Sequence, residues 1–152
     1  MAVEFQDFSI EVKAALEDAV EEYLETAGSE MKSQVQREQT RVDSGQTKGA
    51  WTHIVDSSAK KVTIGNPLEN SIWEEFGTGE YSLKGGRKGG WYVPGDKLTS
   101  KAKAKMRKVT INGKEFYFTK GKKPIRPLHN AFTANKGNMI RLAERILKGR
   151  MG

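Results

Sequence analysis

Cysteine is absent from this chain of 152 residues. Disulfide bonds and thiolate metal sites are therefore excluded, and the redox compartment cannot be inferred from cysteine usage. Histidine is almost absent, since His53 and His129 are the two copies and lie far apart in sequence. Each is better explained as a surface or packing residue than as a ligand or a catalytic base, so we expect no metal and no cofactor.

Long apolar runs are missing as well. No stretch approaches the roughly 20 residues of a membrane-spanning helix, and no signal-peptide pattern opens the sequence. We therefore expect a product made in a cytoplasm, with no membrane partner. Hydrophobic residues make up 36% of the chain and charged residues 30%, which predicts one domain with a modest core and polar extensions.

Charge is abundant but unevenly spread. Residues 1–40 hold 3 basic and 10 acidic side chains, residues 41–80 hold 4 and 6, and residues 81–152 hold 19 and 3. The net charges of these segments are −7, −2 and +16, in agreement with the formal +7 of the whole chain. This separation predicts a polyanionic partner or a complementary neighbour, another copy of the same protein included. A solvated basic segment is the alternative.

A helical pattern covers residues 7–39. Asp7 or Ser9 is a suitable N-cap, and the Gly28-Ser29 pair indicates a kink or a break. Acidic side chains occupy the face opposite the apolar one, so the helix could pack on a sheet or meet the basic segment of a neighbouring subunit. The apolar positions at helical spacing are Leu16, Val20, Tyr23 or Leu24, Ala27, Met31 and Val35.

Two hairpins are predicted. In the first, residues 50–55 and 61–65 flank a polar turn, with Val62 and Ile64 on the inner face. In the second, residues 109–111 and 115–119 enclose Asn112-Gly113, a sequence typical of a type I′ turn. Residues 91–94 are a further strand candidate.

Residues 71–81 combine an aromatic pair, two adjacent carboxylates and a Gly-Thr-Gly turn. Trp73 and Phe76 are three residues apart, so we expect both on one helical face in the core. Neighbouring Glu74 and Glu75 should point in different directions, which disfavours an acid–base pair. We expect one of them on the surface and the other paired with an Arg or Lys. The turn predicts a buried corner from which a basic segment departs.

We define residues 83–124 as the basic arm. Residues 84–126 hold 14 basic and 2 acidic side chains, with aromatic residues interleaved. Such a combination can bind single-stranded nucleic acid through phosphate contact and base stacking. Core packing explains the aromatics equally well, and no base-reading helix is evident, so non-specific nucleic-acid binding stays an alternative. The glycine-rich residues 84–90 lack the Gly-Lys-Ser/Thr ending of a phosphate loop, and we expect no enzyme.

The last element predicted is a helix that starts at Pro127, a residue suited to the first helical position. Its apolar stripe comprises Leu128, Ala131, Phe132, Met139, Ile140, Leu142, Ala143, Ile146 and Leu147, with Lys136-Gly137 as an interruption. The order of elements predicts a single α+β domain over residues 1–152. In it, a small antiparallel β-sheet is packed by a long N-terminal helix and a C-terminal helix, and the basic arm extends as a loop with a hairpin.

Three short motifs occur in a known order. Residues 41–45 (RVDSG), followed by a strand pair ending in VTIG at 62–65, are similar to a P-V-D-T-G … v-x-I-G signature. Residues 75–79 (EFGTG) resemble an E-[FY]-G-T element, and residues 125–132 (IRPLHNAF) resemble x-R-P-[FL]-x-x-A-[FL]. Together they resemble the tail-completion (head–tail joining, or neck) proteins of long-tailed bacteriophages. Arg41 stands where that pattern has proline, and the basic arm is longer than the pattern predicts.

The resemblance implies a structural virion protein of the neck that assembles with itself into a ring, expected to be a hexamer, and catalyses no reaction. Its implied partners are a tail terminator or tail tube protein, a head connector or stopper protein, and genomic DNA passing through the lumen. The assembly residues would be Glu75, Phe76, Gly77, Thr78, Gly79, Lys84, Arg87, Lys88, Trp91, Tyr92 and Arg126. Those facing DNA or a neighbouring subunit would be Lys101, Lys103, Lys105, Arg107 and Lys108. We expect Gly77→Val to fold but to fail in assembly.

Overall fold

The computed structural model describes residues 4 and 6–151. Its first helix, α1 (Ser9–Glu38), has 30 residues and is therefore about 45 Å long at the 1.5 Å rise of an α-helix. The N-cap residue is Phe8, whose side chain makes no capping hydrogen bond, so the predicted cap at Asp7 or Ser9 is wrong. Asp7, one residue earlier, accepts a hydrogen bond from the N–H of Ser9 at 2.9 Å. The helix continues unbroken through Gly28, where the sequence indicated a kink or a break.

The first predicted hairpin is confirmed and packs on α1. A one-turn helix, α2 (Gln46–Gly49), leads into β1 (Thr52–Asp56), which pairs with the antiparallel β2 (Lys61–Gly65). His53 and Val62 lie on the face toward α1, and a Cβ added at Gly28 would meet both of their side chains at 2.7 Å. Glycine at position 28 therefore lets the helix approach the hairpin closely.

The other long helix, α5 (Pro127–Met151), starts at Pro127 as predicted and runs antiparallel to α1. Ala131, near its start, packs with Val35 at the end of α1, whereas Arg150, near its end, pairs with Glu22 at 2.8 Å. The core between the helices has two clusters, one formed by Ala19, Ala27, Leu142 and Ile146 and the other by Met31, Val35, Trp51 and Ala131. Of the predicted stripe, Phe132, Ile140 and Leu147 are exposed instead.

The basic arm is folded into a three-stranded antiparallel sheet. Its strands β3 (Trp91–Pro94), β4 (Arg107–Ile111) and β5 (Lys114–Thr119) lie in the order β3-β5-β4. Asn112 and Gly113 both have positive φ angles, 50° and 74°, as a type I′ turn requires. The predicted hairpin is confirmed, and β3 adds a third strand to it. A short helix, α4 (Ser100–Lys103), lies between β3 and β4. The predicted α+β class is confirmed.

The short helix α3 (Asn70–Phe76) corrects two predictions. Trp73 is 39% exposed and Phe76 is only partly buried, whereas Glu74 and Glu75 are 4% and 8% exposed. The helix has a single inward side, formed by Ser71, Glu74 and Glu75 at spacings of three and four residues. The carboxylates occupy that side because each finds partners there, as described next, and the aromatic pair is turned away from the core.

Candidate functional site

Glu74 binds the base of the basic arm to the segment that follows α1. Its Oε2 accepts from Nη1 of Arg41 at 2.8 Å, and its Oε1 accepts from Nζ of Lys122. Its main-chain oxygen accepts from the N–H groups of Ile125 and Arg126 at 2.9 and 3.1 Å. Arg41 also donates to the main-chain oxygen of Lys123 at 3.0 Å. Arginine at the position where the resemblance has proline therefore has a clear structural role.

Glu75 caps the start of α5 from a distant part of the chain. Its carboxylate accepts from the N–H of Leu128 at 2.8 Å and from the N–H of His129 at 3.1 Å. A negative charge is favourable at a helix N-terminus, where N–H groups lack partners within the helix. The expectation that one carboxylate pairs with an Arg or Lys is confirmed for Glu74, and the expectation that the other lies on the surface is wrong, because Glu75 is buried too.

The Gly-Thr-Gly turn fixes the arm to α3. The N–H groups of Thr78 and Glu80 donate to the main-chain oxygens of Lys122 and Lys120, both at 2.9 Å. Gly77 has a φ of 73°, and a Cβ there would lie 2.8 Å from two main-chain oxygens. Gly77→Val therefore strains the fold itself, so this variant cannot separate assembly from folding. We define the joint as Arg41 with residues 74–80 and 120–126.

Cation–aromatic contacts cover the outside of the joint and the start of the arm. Lys84 Nζ lies 3.9 Å from the ring centroid of Phe76, and the Arg87 guanidinium lies 5.8 Å from that of Trp91. Lys88 is exposed on the same loop. Four of the predicted assembly residues are therefore brought together as two pairs within one subunit, at distances typical of cation–π interactions.

The two faces of the three-stranded sheet differ. We define the aromatic face as the residues that the strand register places together on one side: Tyr92, Pro94, Arg107, Val109, Ile111, Lys114, Phe116 and Phe118. The opposite face carries Tyr117, which is buried against Gly95 and lies beneath Lys103. On the aromatic face, Tyr92 and Ile111 are about half exposed and Arg107 and Lys114 are exposed.

A groove of about 550 Å³ lies at the edge of the sheet and is lined by Pro94, Lys114 and Phe116 of the aromatic face and by Gly95, Asp96, Lys103 and Glu115. The Tyr92 and Phe118 rings lie 5.3 Å apart, at the end of the aromatic face that also carries Arg107. The aromatic face thus combines apolar surface and positive charge.

An ion pair on the opposite side of the sheet perturbs three titrating groups. Lys108 Nζ lies 2.7 Å from Oε1 of Glu115, and the Tyr117 hydroxyl donates to Oε2 at 3.2 Å. The bond from Lys108 lowers the pKa of Glu115, and Glu115 raises the pKa of Lys108. Burial, reinforced by Glu115, raises the pKa of Tyr117. Because the folded pKa of Glu115 is depressed, the contribution of this pair is present above its unfolded pKa and is lost as pH falls through the folded value.

The residues expected to face DNA or a neighbour divide into two groups. Lys101 donates to the main-chain oxygen of Val42 at 2.8 Å, Lys103 lies over Tyr117, and Lys108 pairs with Glu115. These three are used within the subunit. Lys105 and Arg107 are exposed. Arg126, predicted at an assembly surface, lies partly buried in the joint with a φ of 54°.

Sequence reasoning missed several structural residues. Lys122 was not singled out, Gly28 was expected to kink or break the helix, Arg41 was noted only as a departure from proline, and Glu74 was assigned a minor role. One further feature could have been found in the sequence, namely an apolar stripe that continues toward the start of α1. Phe8 and Val12 precede Leu16 at steps of four residues. Phe8, Ile10, Val12 and Leu16 are all exposed.

The residues that the structure describes contain no group of three or more His, Asp or Glu side chains placed to hold a metal ion. None of the helices described is long and apolar enough to cross a membrane. A scan against protein-family models and searches of curated proteins and of solved structures found no match to this chain. The resemblance to tail-completion proteins therefore stays a prediction.

Proposed function

We propose that this chain is a structural protein of a bacteriophage neck. Copies of it join into a ring, with a hexamer expected, that completes the tail and connects it to the head. The observation that carries this proposal is that the acidic first turns of α1 and the basic arm lie at opposite ends of that helix. Its role is to fit surfaces together, without catalysis.

The joint determines that placement. Arg41 and Val42, three and four residues beyond the end of α1, bond to the basic arm through Glu74, Lys123 and Lys101. The arm therefore lies near the C-terminal end of α1. Residues 6–18, which hold four acidic side chains and one basic one, lie at the other end of a helix about 45 Å long. Complementary surfaces at opposite ends favour head-to-tail contact between copies, and such contacts close into rings when the rotation permits.

Contacts between the three sequence motifs also support the proposal. Arg41, from the first motif, contacts Glu74 directly before the second. Glu75, from the second, caps the helix that contains the third. The three motifs of the resemblance thus meet in the joint. Such contacts are expected of residues that preserve a common fold. On this basis we propose a tail terminator or tail tube protein and a head connector or stopper protein as neighbours, with DNA in the lumen and the virion as the location.

Deletion of the gene from the phage or prophage that encodes it tests this function. We expect electron microscopy to find DNA-filled heads and tails as separate particles, and the purified protein to restore joining when added to them. Normal virions made without the gene would contradict the proposal.

A second candidate is non-specific nucleic-acid binding by the basic arm. This second candidate is favoured because few cations of the basic arm have a carboxylate partner. Among the described residues of the arm, those that form ion pairs are Lys108, Lys120 and Lys122. A binder of this kind retards DNA as a monomer, with an affinity that falls steeply as salt rises. A neck protein shows little affinity for DNA alone and self-associates or binds to tail ends.

A further inference from the structure

The first turns of α1 carry an apolar stripe that the described chain leaves exposed. Phe8, Val12 and Leu16 recur at steps of four residues and are 57%, 42% and 42% exposed. The stripe continues into Ala19, which is buried against α5. The stripe therefore extends the face of α1 that packs on α5, past the point where Leu142 and Ile146 of α5 cover it. We define residues 8–18 as the leading turns.

The leading turns are acidic as well as apolar. The leading turns hold three acidic side chains, Glu11, Glu17 and Asp18, against one basic side chain, Lys13. On a helical projection, Glu11 lies in the row on one side of the stripe, Lys13 and Glu17 lie in the row on the other side, and Asp18 points away from it. An apolar stripe on a segment of net negative charge favours a partner that is apolar and basic.

The aromatic face of the three-stranded sheet has that character. Tyr92 is 52% exposed and Ile111 is 48% exposed. Arg107 and Lys114, on the edge strand and the central strand, add two cations to this face. No long helix of the described chain packs against this sheet, as the helix-to-sheet packing involves α1 with β1 and β2.

The leading turns cannot reach the aromatic face of their own subunit. The joint holds the sheet beside residues 41 and 42, beyond the end of α1, and the leading turns are separated from that end by 20 residues of helix, or about 30 Å. The complementary partner must therefore be another copy of the chain.

We propose that the leading turns of one copy lie along the aromatic face of a second copy. The stripe from Phe8 to Leu16 packs across the face between Tyr92 and Ile111, which the register places at opposite corners, and Glu11 and Glu17 meet Arg107 and Lys114. The contact is heterologous, because each copy offers its leading turns to one neighbour and its aromatic face to another. Such an assembly closes into a ring or continues as a filament. This inference rests on the proposed function only in taking the chain to be self-assembling.

Two double variants test the contact by complementation. The helix variant is Val12→Asp with Leu16→Asp, and the sheet variant is Arg107→Glu with Lys114→Glu. All four positions are exposed, so each variant should unfold at the temperature of the native chain. Each should remain monomeric in sedimentation velocity, with self-association weakened at least about tenfold, or about 1.4 kcal/mol. Mixed in equal amounts they should form heterodimers and nothing larger, because the mixture retains one intact pair of surfaces.

Matched controls come from exposed positions elsewhere. Ile140→Asp with Leu147→Asp places the same charges on exposed apolar sites of α5, and Lys136→Glu with Arg145→Glu reverses two exposed cations of α5. Both should assemble like the native chain. Because the chain has no cysteine, Val12→Cys and Ile111→Cys variants can also be mixed under oxidising conditions. We expect a disulfide-linked heterodimer from this mixture and none when Ile140→Cys replaces Val12→Cys.

Four results would overturn the contact. The two double variants could assemble like the native chain, or their mixture could stay monomeric. The helix variant could lose thermal stability, which would mean that the stripe is covered within its own chain. The sheet variant could lose binding to single-stranded DNA while self-association persists, which would assign the aromatic face to nucleic acid. If native protein still restores head–tail joining in any of these cases, the proposed contact is wrong but the proposed neck function stands. If native protein fails to restore joining, the proposed neck function is wrong as well.

Discussion

Glu74 is a buried carboxylate whose two cations, Arg41 and Lys122, are about one-third exposed. Glu74→Gln keeps the shape of the side chain and removes its charge. We expect a loss of about 3 kcal/mol in the free energy of unfolding, at the low end for breaking a buried ion pair, because the released cations can still reach water. Urea denaturation followed by circular dichroism measures it. Glu115→Gln, which breaks the exposed pair with Lys108, should cost much less, because water screens that pair, and equal losses for the two variants would contradict this view of the joint.

Glu75 supports α5 through two N–H groups that have no partner within the helix. Glu75→Ala should lower the free energy of unfolding by about 1–2 kcal/mol, the usual cost of losing a helix cap. Glu75→Gln keeps one acceptor oxygen and should cost less. Thermal unfolding measures both, with Glu144→Ala, at an exposed site on the same helix, as the control. A Glu75→Ala variant as stable as Glu144→Ala would show that the cap contributes nothing.

At the scale of elements, α1 and the first hairpin meet at Gly28. Gly28→Ala should gain about 1 kcal/mol from helix propensity. It would also force a methyl group against His53 and Val62, so we expect the free energy of unfolding to fall by about 1–3 kcal/mol in total. Gly137→Ala is the matched control in α5, where an added Cβ would lie 3.6 Å from the flexible side chain of Arg141. There we expect a gain of up to about 1 kcal/mol. Denaturation midpoints that move in the same direction for both variants would argue against close packing at Gly28.

The elements that local periodicity specifies were predictable from the sequence. The helical spacing of Leu24, Ala27 and Met31 and the Asn112-Gly113 turn each depend on neighbouring residues, and the structure confirms α1, both hairpins and α5. The inward side of α3 was not predictable in this way. Its carboxylates are buried because Arg41 and Lys122 reach Glu74 from 33 and 48 residues away, and no local spacing reports such partners.

The sequence predicted where the candidate site lies better than it predicted what the residues of the site do. The sequence drew attention to residues 75–79 and to the basic arm, and these regions do meet at the joint. Glu75 and Gly77 serve the fold, however, because they contact distant backbone groups. The aromatic face became evident only when β3 was seen to pair with β5, since that register places Tyr92 beside Phe118.

For the whole molecule, separated charge has a consequence that salt can test. If acidic leading turns meet a basic aromatic face, added salt should weaken self-association, because the Debye length falls from about 10 Å at 0.1 M to about 3 Å at 1 M. Sedimentation velocity across this range, without nucleic acid, measures the dissociation constant. A variant with Arg107→Gln and Lys114→Gln should bind more weakly at low salt and show a flatter dependence, since fewer charges remain to be screened. Self-association that is unchanged or strengthened by salt would mean that charge does not join the copies, and the apolar stripe alone would then have to account for their contact.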